Sequence, residues 1–270
     1  TGDKKYLEKS IEAIRGWINQ NPKANGGEGW SPYTIDLRLT NWMGYYAAVH
    51  TELDGDFQSL FINSVHEQYN FLSRHLEKDI LGNHYFEDLK ALVICASFFN
   101  DETVLHTALK VFKAECKEEI LPDGMHFELS PMYHKLIFEG VIRVAVALKD
   151  RGLDDHEVDG YLQPMLDAAW SLEEGLDRIP LFNDAGNNVA KSLQALVSAC
   201  KRHFDITPEY KSRFVDSGIY IFKQNDWKLI VDAGQPGPAY IPGHAHCDAM
   251  SFELFKAGKP VIVNCGTYAY

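Results

Sequence analysis

From Tyr6 to about Phe204 the apolar residues return every three or four positions, first at Ile11, Ile14 and Ile18, which is the period of a helix with one buried face. Breakers interrupt the pattern and divide it into predicted helices over roughly 5–20, 33–50, 56–79, 84–99, 102–117, 131–150, 157–174 and 189–203. The links Asn100-Asp101 and Leu121-Pro122-Asp123-Gly124 are short enough to favour antiparallel neighbours. Nothing before Arg213 reads as a strand. After Pro208 the pattern changes to short β-rich runs over 218–223, 227–232, 251–255 and 260–264, separated by Gln224-Asn225-Asp226 and Ala257-Gly258-Lys259, as antiparallel hairpins require. The expected organisation is α+β in two domains. A closed or arched α/α array occupies 1–208, and the start of an antiparallel β domain occupies 209–270. Four or five strands are marginal for a sandwich. The β domain is therefore expected to continue past Tyr270, and a further N-terminal piece to precede Thr1.

Composition narrows the class. The 270 residues are 46% hydrophobic and 24% charged, which excludes intrinsic disorder. Apolar stretches such as 91–99 fall short of the roughly 18 residues that cross a bilayer. Thr1-Gly2-Asp3-Lys4-Lys5 has neither an initiator Met nor the apolar core of a secretory leader, so it reads as an interior start. The net charge of −12 argues against binding to nucleic-acid backbones. Residues 211–270 hold six Lys/Arg and five Asp/Glu, so the preceding 210 carry −12 − 1 = −13. Five cysteines without a C-x-x-C pair leave at least one thiol unpaired within the chain. Cys95 and Cys200 lie in apolar helical runs as core residues.

Three segments concentrate chemistry. In Gly243-His244-Ala245-His246-Cys247-Asp248 two imidazoles and a carboxylate alternate, so an extended chain points them to one side, for metal binding or acid–base work. Gly82-Asn83-His84-Tyr85 precedes an apolar helical run. Asn83 suits an N-cap there, and an Asn–His pair at a helix mouth also suits an anion. Ser130-Pro131-Met132-Tyr133-His134 places Ser130 at the cap, Pro131 at the first helical position and Tyr133 in the first turn, where a phenolate is favoured. G-x-S-x-G, phosphate-loop, G-x-G-x-x-G and H-E-x-x-H motifs are missing. Paired carboxylates for glycoside hydrolysis stay open.

Taken with Trp30-Ser31-Pro32-Tyr33, Arg38, Asn41-Trp42, Asp123-Gly124, His126-Phe127-Glu128, Ser251-Phe252 and Gly266-Thr267-Tyr268, these blocks and their order resemble the heparinase II/III superfamily of polysaccharide lyases. The resemblance implies an (α/α) toroid followed by an antiparallel β-sandwich, with substrate held between the two. It implies β-elimination on a uronate glycan, either heparan-type glycosaminoglycan or alginate. Tyr133 would be the acid, and His244 or a tyrosinate the base. Asn83 and His84 would neutralise the uronate carboxylate, with Arg38 and His134 as further substrate contacts. The one cofactor it implies is a structural zinc at His246 and Asn264. The chain has Asn264-Cys265 where the family commonly has Asp-Pro, which exchanges a charged ligand for a neutral one and leaves Cys265 as an alternative thiolate.

Such lyases often act in the periplasm or outside the cell, with the cytoplasm as the alternative. The expected partner is an acidic polysaccharide. Two other readings compete: a toroidal glycoside hydrolase using paired carboxylates, and a non-catalytic glycan-binding or polysaccharide-assembly protein. Because a polyanion must meet an acidic chain, the −13 is expected on outer helices, with few carboxylates beside Arg38, Asn83, His84, Tyr133, His244 and His246.

Overall fold

The computed structural model describes residues 4–23, 26–79, 82–240, 243–246 and 250–267. Two compact units divide the chain at 109/110. The first contains α1 (Lys4–Gln20), α2 (Pro32–Val49), α3 (Gly55–Leu72), α4 (Gly82–Phe99) and the start of α5 (Glu102–Glu119). Its core forms where α4, buried on almost every face, packs along α2 and α3. Asp54 starts α3 by accepting the Phe57 N–H at 2.8 Å, a cap that satisfies one of the free donors of the first turn. The predicted helix over 56–79 ends at Leu72 instead. Ser73 Oγ donates to the Asn70 carbonyl at 3.1 Å, and the His75 ring lies 2.7 Å from the Phe71 carbonyl through Nδ1. Side chains thus take carbonyls that a continuing helix would use.

The second unit contains the end of α5, then α6 (Pro131–Asp150), α7 (His156–Asp159), α8 (Leu162–Glu173), α9 (Leu193–Phe204) and a five-stranded antiparallel sheet. The strands β1 (Arg213–Phe214), β2 (Ile219–Gln224), β3 (Trp227–Asp232), β4 (Ser251–Lys256) and β5 (Lys259–Ile262) pair in chain order. The single helix expected over 157–174 is divided into α7 and α8. Pro164 in the first turn of α8 lacks an N–H and clashes with a carbonyl four residues back, so a continuous helix through Gly160 is excluded. Asn225 (φ 53°) and the pair Ala257 (φ 48°) and Gly258 (φ 81°) turn the two main hairpins, as the predicted turn residues require.

One face of the sheet is apolar. Ile219, Ile221, Ile230 and Phe255 pack with Phe214 and Phe182 in a core that also takes in Ala168 and Leu172 of α8. Each large side chain buried this way contributes about 1.5–3 kcal/mol. The loop after α5 folds against the same body. Ile120 and His126 form an isolated antiparallel bridge, the β-pairing before Arg213 that the periodicity did not show. Gly124 (φ 92°) is required in this loop, because a Cβ there would stand 2.3 Å from the Pro164 carbonyl oxygen. Asp123 Oδ2 accepts both the Ser217 N–H (2.8 Å) and its hydroxyl (3.0 Å), which ties the loop to the β1–β2 turn. Among the described residues no helix is long and apolar enough to cross a membrane.

Candidate active site

In the first unit the sequence candidates gather at the start of α4. Gly82 has a left-handed φ of 56°, and Asn83 and His84 follow it in the first helical turn. Asn83 therefore stands inside the helix and not at the cap position expected of it. His84 Nδ1–H donates to Glu77 Oε2 at 2.8 Å, and the ring stacks on Tyr33 with centroids 4.2 Å apart and planes 25° apart. Glu77 is anchored in turn, its N–H donating to Asp88 Oδ2 at 2.7 Å. Asp88 and Asp36 are both fully buried. Burial, then the charges of Glu87 and Asp88, pushes Asp36 up to about 10. Burial raises Asp88 to about 7 against the opposing Glu77 N–H bond. The pair thus holds a proton at neutral pH.

Arg38, expected as a carboxylate clamp, is engaged within the fold. Its Nε donates to Gln68 at 2.6 Å and Nη2 to the Gly29 carbonyl at 2.7 Å, while the guanidinium lies 3.9 Å from the centre of the Trp17 ring. Burial lowers its pKa to about 10. Two faces of its donor fork are spent on the fold.

In the second unit Tyr133 and His244 come together. Their ring centroids are 3.8 Å apart at 33°, although 111 positions separate them in the chain. Ser130 stands at the cap of α6 with Pro131 behind it, as expected, but its side chain makes no capping bond. His244 Nδ1–H donates to Asp184 Oδ2 at 2.5 Å, and Nε2 lies 3.6 Å from Glu128. Burial alone would lower the His244 pKa. The Asp184 hydrogen bond and the charges of Glu128 and Asp184 outweigh it, so the imidazole sits above its ordinary value. Glu128 leads on to His126 (3.8 Å), and His126 to Glu119 (3.3 Å). These three side chains are essentially sealed from solvent. Burial holds His126 neutral, near 4, and raises Glu119 to about 8.

His134, expected to contact substrate, is fully buried. Its Nδ1 accepts the His126 N–H (3.2 Å) and its Nε2 donates to the Met165 carbonyl (3.0 Å). With no exposed edge it fixes the 124–128 loop to α8. His246 is held by its backbone N–H on Asn183 Oδ1 (3.3 Å), while Asn183 Nδ2 donates to the Glu128 carbonyl (3.3 Å). Asn264 spends its Oδ1 on the Gly266 N–H (3.0 Å) and its own N–H on Glu253 (2.9 Å). Cys265 is an exposed free thiol. Among the described residues no three His, Cys, Asp or Glu side chains converge as metal ligands, and zinc requires four donors. Cys247, Asp248 and Tyr268 lie outside the described residues. The described donors do not fit the implied zinc.

Few carboxylates were expected beside these residues, and the structure corrects that. Glu77 backs His84; Asp184 and Glu128 flank His244. Asp184 and Glu128 are buried and Glu77 half-buried, partners that orient imidazoles, a use of acidic residues that net charge cannot separate from solvated surface. Glu77 and Asp184 carried no motif. Asp184 is 60 residues from its partner, and only a fold connects them.

Two family models cover the chain end to end, Heparinase II/III N-terminus over residues 1–212 and Heparinase II/III-like, C-terminal over 206–270. The chain belongs to the heparinase II/III family. Similar relatives include a heparin-sulfate lyase of Pedobacter heparinus, 25% identical, which matches all of this chain and 45% of that protein. A heparin-sulfate lyase of Bacteroides thetaiotaomicron is 22% identical with the same coverages. The chain spans about half the length of the curated relatives it matches. Among solved structures, a heparinase III superposes with a TM-score of 0.75 at 18% identity, over all of this chain and 48% of that one. A mutant of heparan sulfate lyase HepC from Pedobacter heparinus gives 0.72 at 22% identity, over all of this chain and 47% of that one. This likeness bears out the expected fold class, helical toroid followed by antiparallel β-sandwich.

Proposed function

We propose that the protein containing this chain is a polysaccharide lyase that cleaves heparan sulfate-type glycans by β-elimination. The observation that carries the reading is the close, tilted Tyr133–His244 ring contact, with His244 Nδ1 fixed on Asp184. A tyrosine and an oriented imidazole are the groups that elimination needs, one to move a proton to the leaving oxygen and one to take a proton from carbon. Family membership supplies the substrate class, and the relatives are heparin-sulfate lyases.

The chemistry follows from the uronate. Its C5 proton is weakly acidic while the neighbouring carboxylate is ionised. Asn83 and His84, at the first turn of α4, donate hydrogen bonds to that carboxylate and to the enolate-like intermediate, a charge that oriented donors stabilise. His244 in its neutral form, or a tyrosinate, takes the C5 proton. The electron pair forms the C4–C5 double bond, the C4–O4 bond breaks, and Tyr133 protonates O4. His134, Arg38 and the buried His126–Glu119 pair hold the scaffold. The roles of Tyr133, His244, Asn83 and His84 are ours; no metal enters any step.

The test is the full-length protein with heparan sulfate, heparin and alginate, followed by near-ultraviolet absorbance of the unsaturated end. Tyr133→Phe keeps the ring contact and loses the phenol. We expect kcat to fall by about 10²–10⁴-fold with an unchanged melting temperature. Undiminished turnover in this variant would remove Tyr133 from the reaction.

A further inference from the structure

In the first unit, Glu77 is held by α4 at two points one helical turn apart. Its side chain receives the Nδ1–H of His84, and its backbone N–H donates to Asp88. Residues four apart share a helix face, so α4 grips the 77 turn through both. Below that contact lies the Asp88–Asp36 carboxyl pair, fully buried. Above it, the imidazole lies flat on Tyr33 from α2. Glu77 side-chain exposure is 16% against 33% for His84, so the carboxylate is the inner partner and the ring edge the outer one.

We propose that Glu77 is a positioning residue for His84, which fixes the proton on Nδ1 and turns Nε2 toward the carboxylate of a uronate substrate. This rests on the reading of His84 given above. An ionised carboxylate only accepts hydrogen bonds, so its contact requires a proton on Nδ1. A ring that donates to Glu77 through Nδ1 donates to an anion through Nε2 when that nitrogen also carries a proton. A second partner fixing the tautomer of a working imidazole is a recurring arrangement. The charged and titratable groups that act on His84 are Tyr33 from α2, stacked on the ring, Glu77 from the turn, and Asp88 from α4. Glu87 and Lys90 are paired with each other. Glu77 is the carboxylate in hydrogen-bond contact with the ring.

Two measurements on the full-length protein test this. The first is nitrogen-15 NMR of histidine-labelled protein, with the His84 signals assigned by their loss in His84→Gln. The wild type is expected to show Nδ1 protonated, and Glu77→Ala to move the neutral form toward the Nε2–H tautomer; the same tautomer in both proteins would overturn the proposal whatever the activity. The second is a double-mutant cycle with heparan sulfate. Glu77→Gln is expected to lower kcat/KM at least tenfold in the wild-type background, with Glu77→Asp partly restoring it, and to change it less than twofold in a His84→Ala background. Equal losses in both backgrounds would show that Glu77 acts on the fold and not through His84. Full activity of His84→Ala would instead overturn the role given to His84, while the tautomer measurement still decides the role of Glu77.

Discussion

Asp184 is the residue that fixes His244 in the second unit. It holds His244 through Nδ1 and, with Glu128, keeps the imidazole pKa raised despite burial. Replacing it by Asn keeps a similar shape but removes the charge. Asp184→Asn should lower kcat by about 10²–10⁴-fold and move the acid limb of the kcat/KM profile to lower pH, because His244 then loses its proton more easily. A pH–rate profile checks this; an unmoved limb would remove His244 from the titrating step. Histidines and tyrosines were legible as candidates because few other side chains do this chemistry near neutral pH. Glu77, Asp184 and Glu128 were not, since an orienting carboxylate reads like any of the 38 acidic residues. Arg38 and His134 show the converse. Their chemistry suits an anion, but the Gln68, Gly29 and Met165 acceptors that occupy them become neighbours only in the fold.

Among the elements, α2 and α4 pack along each other and bury Asp36 against Asp88. An unfolded Asp titrates near 3.9, whereas Asp36 in the fold is raised to about 10, chiefly by burial. The folded state therefore binds more protons across the interval between those values. Its stability contribution is fully present at acid pH and is lost as pH rises. Asp36→Asn, which cannot ionise, should flatten this slope. Calorimetric melting temperatures from pH 5 to pH 9 should fall more in the wild type than in the variant, and parallel curves would contradict a buried Asp36 that stays protonated through this range. In the second unit the 121–128 loop depends on Gly124. Gly124→Ala puts a methyl group against the Pro164 carbonyl at a positive φ, and should cost about 2–3 kcal/mol or more, read as a lowered denaturation midpoint. The element pattern was well legible where periodicity was strong. The predicted strand over 227–232 is β3 itself, because alternation along a half-buried strand is a local signal. The ends of α3 and the α7–α8 break were less so, because they depend on Ser73, His75 and Pro164 competing with backbone hydrogen bonds.

For the whole molecule, the charge of −12 and a polyanionic substrate are compatible once the acids beside the histidines are counted as buried partners. Asp36, Asp88, Glu119, Glu128 and Asp184 are all buried, and burial raises the first four, so formal charge overstates what an approaching glycan meets. The family was legible in the sequence because its blocks keep their order from Trp30 to Thr267, and both family models match. The central claim is the reaction itself. Mass spectrometry of heparan sulfate fragments released by the full-length protein tests it most directly. Elimination predicts new non-reducing ends that carry a C4–C5 double bond and weigh one water less than hydrolysis products; saturated ends, or no fragments from a folded protein, would contradict it.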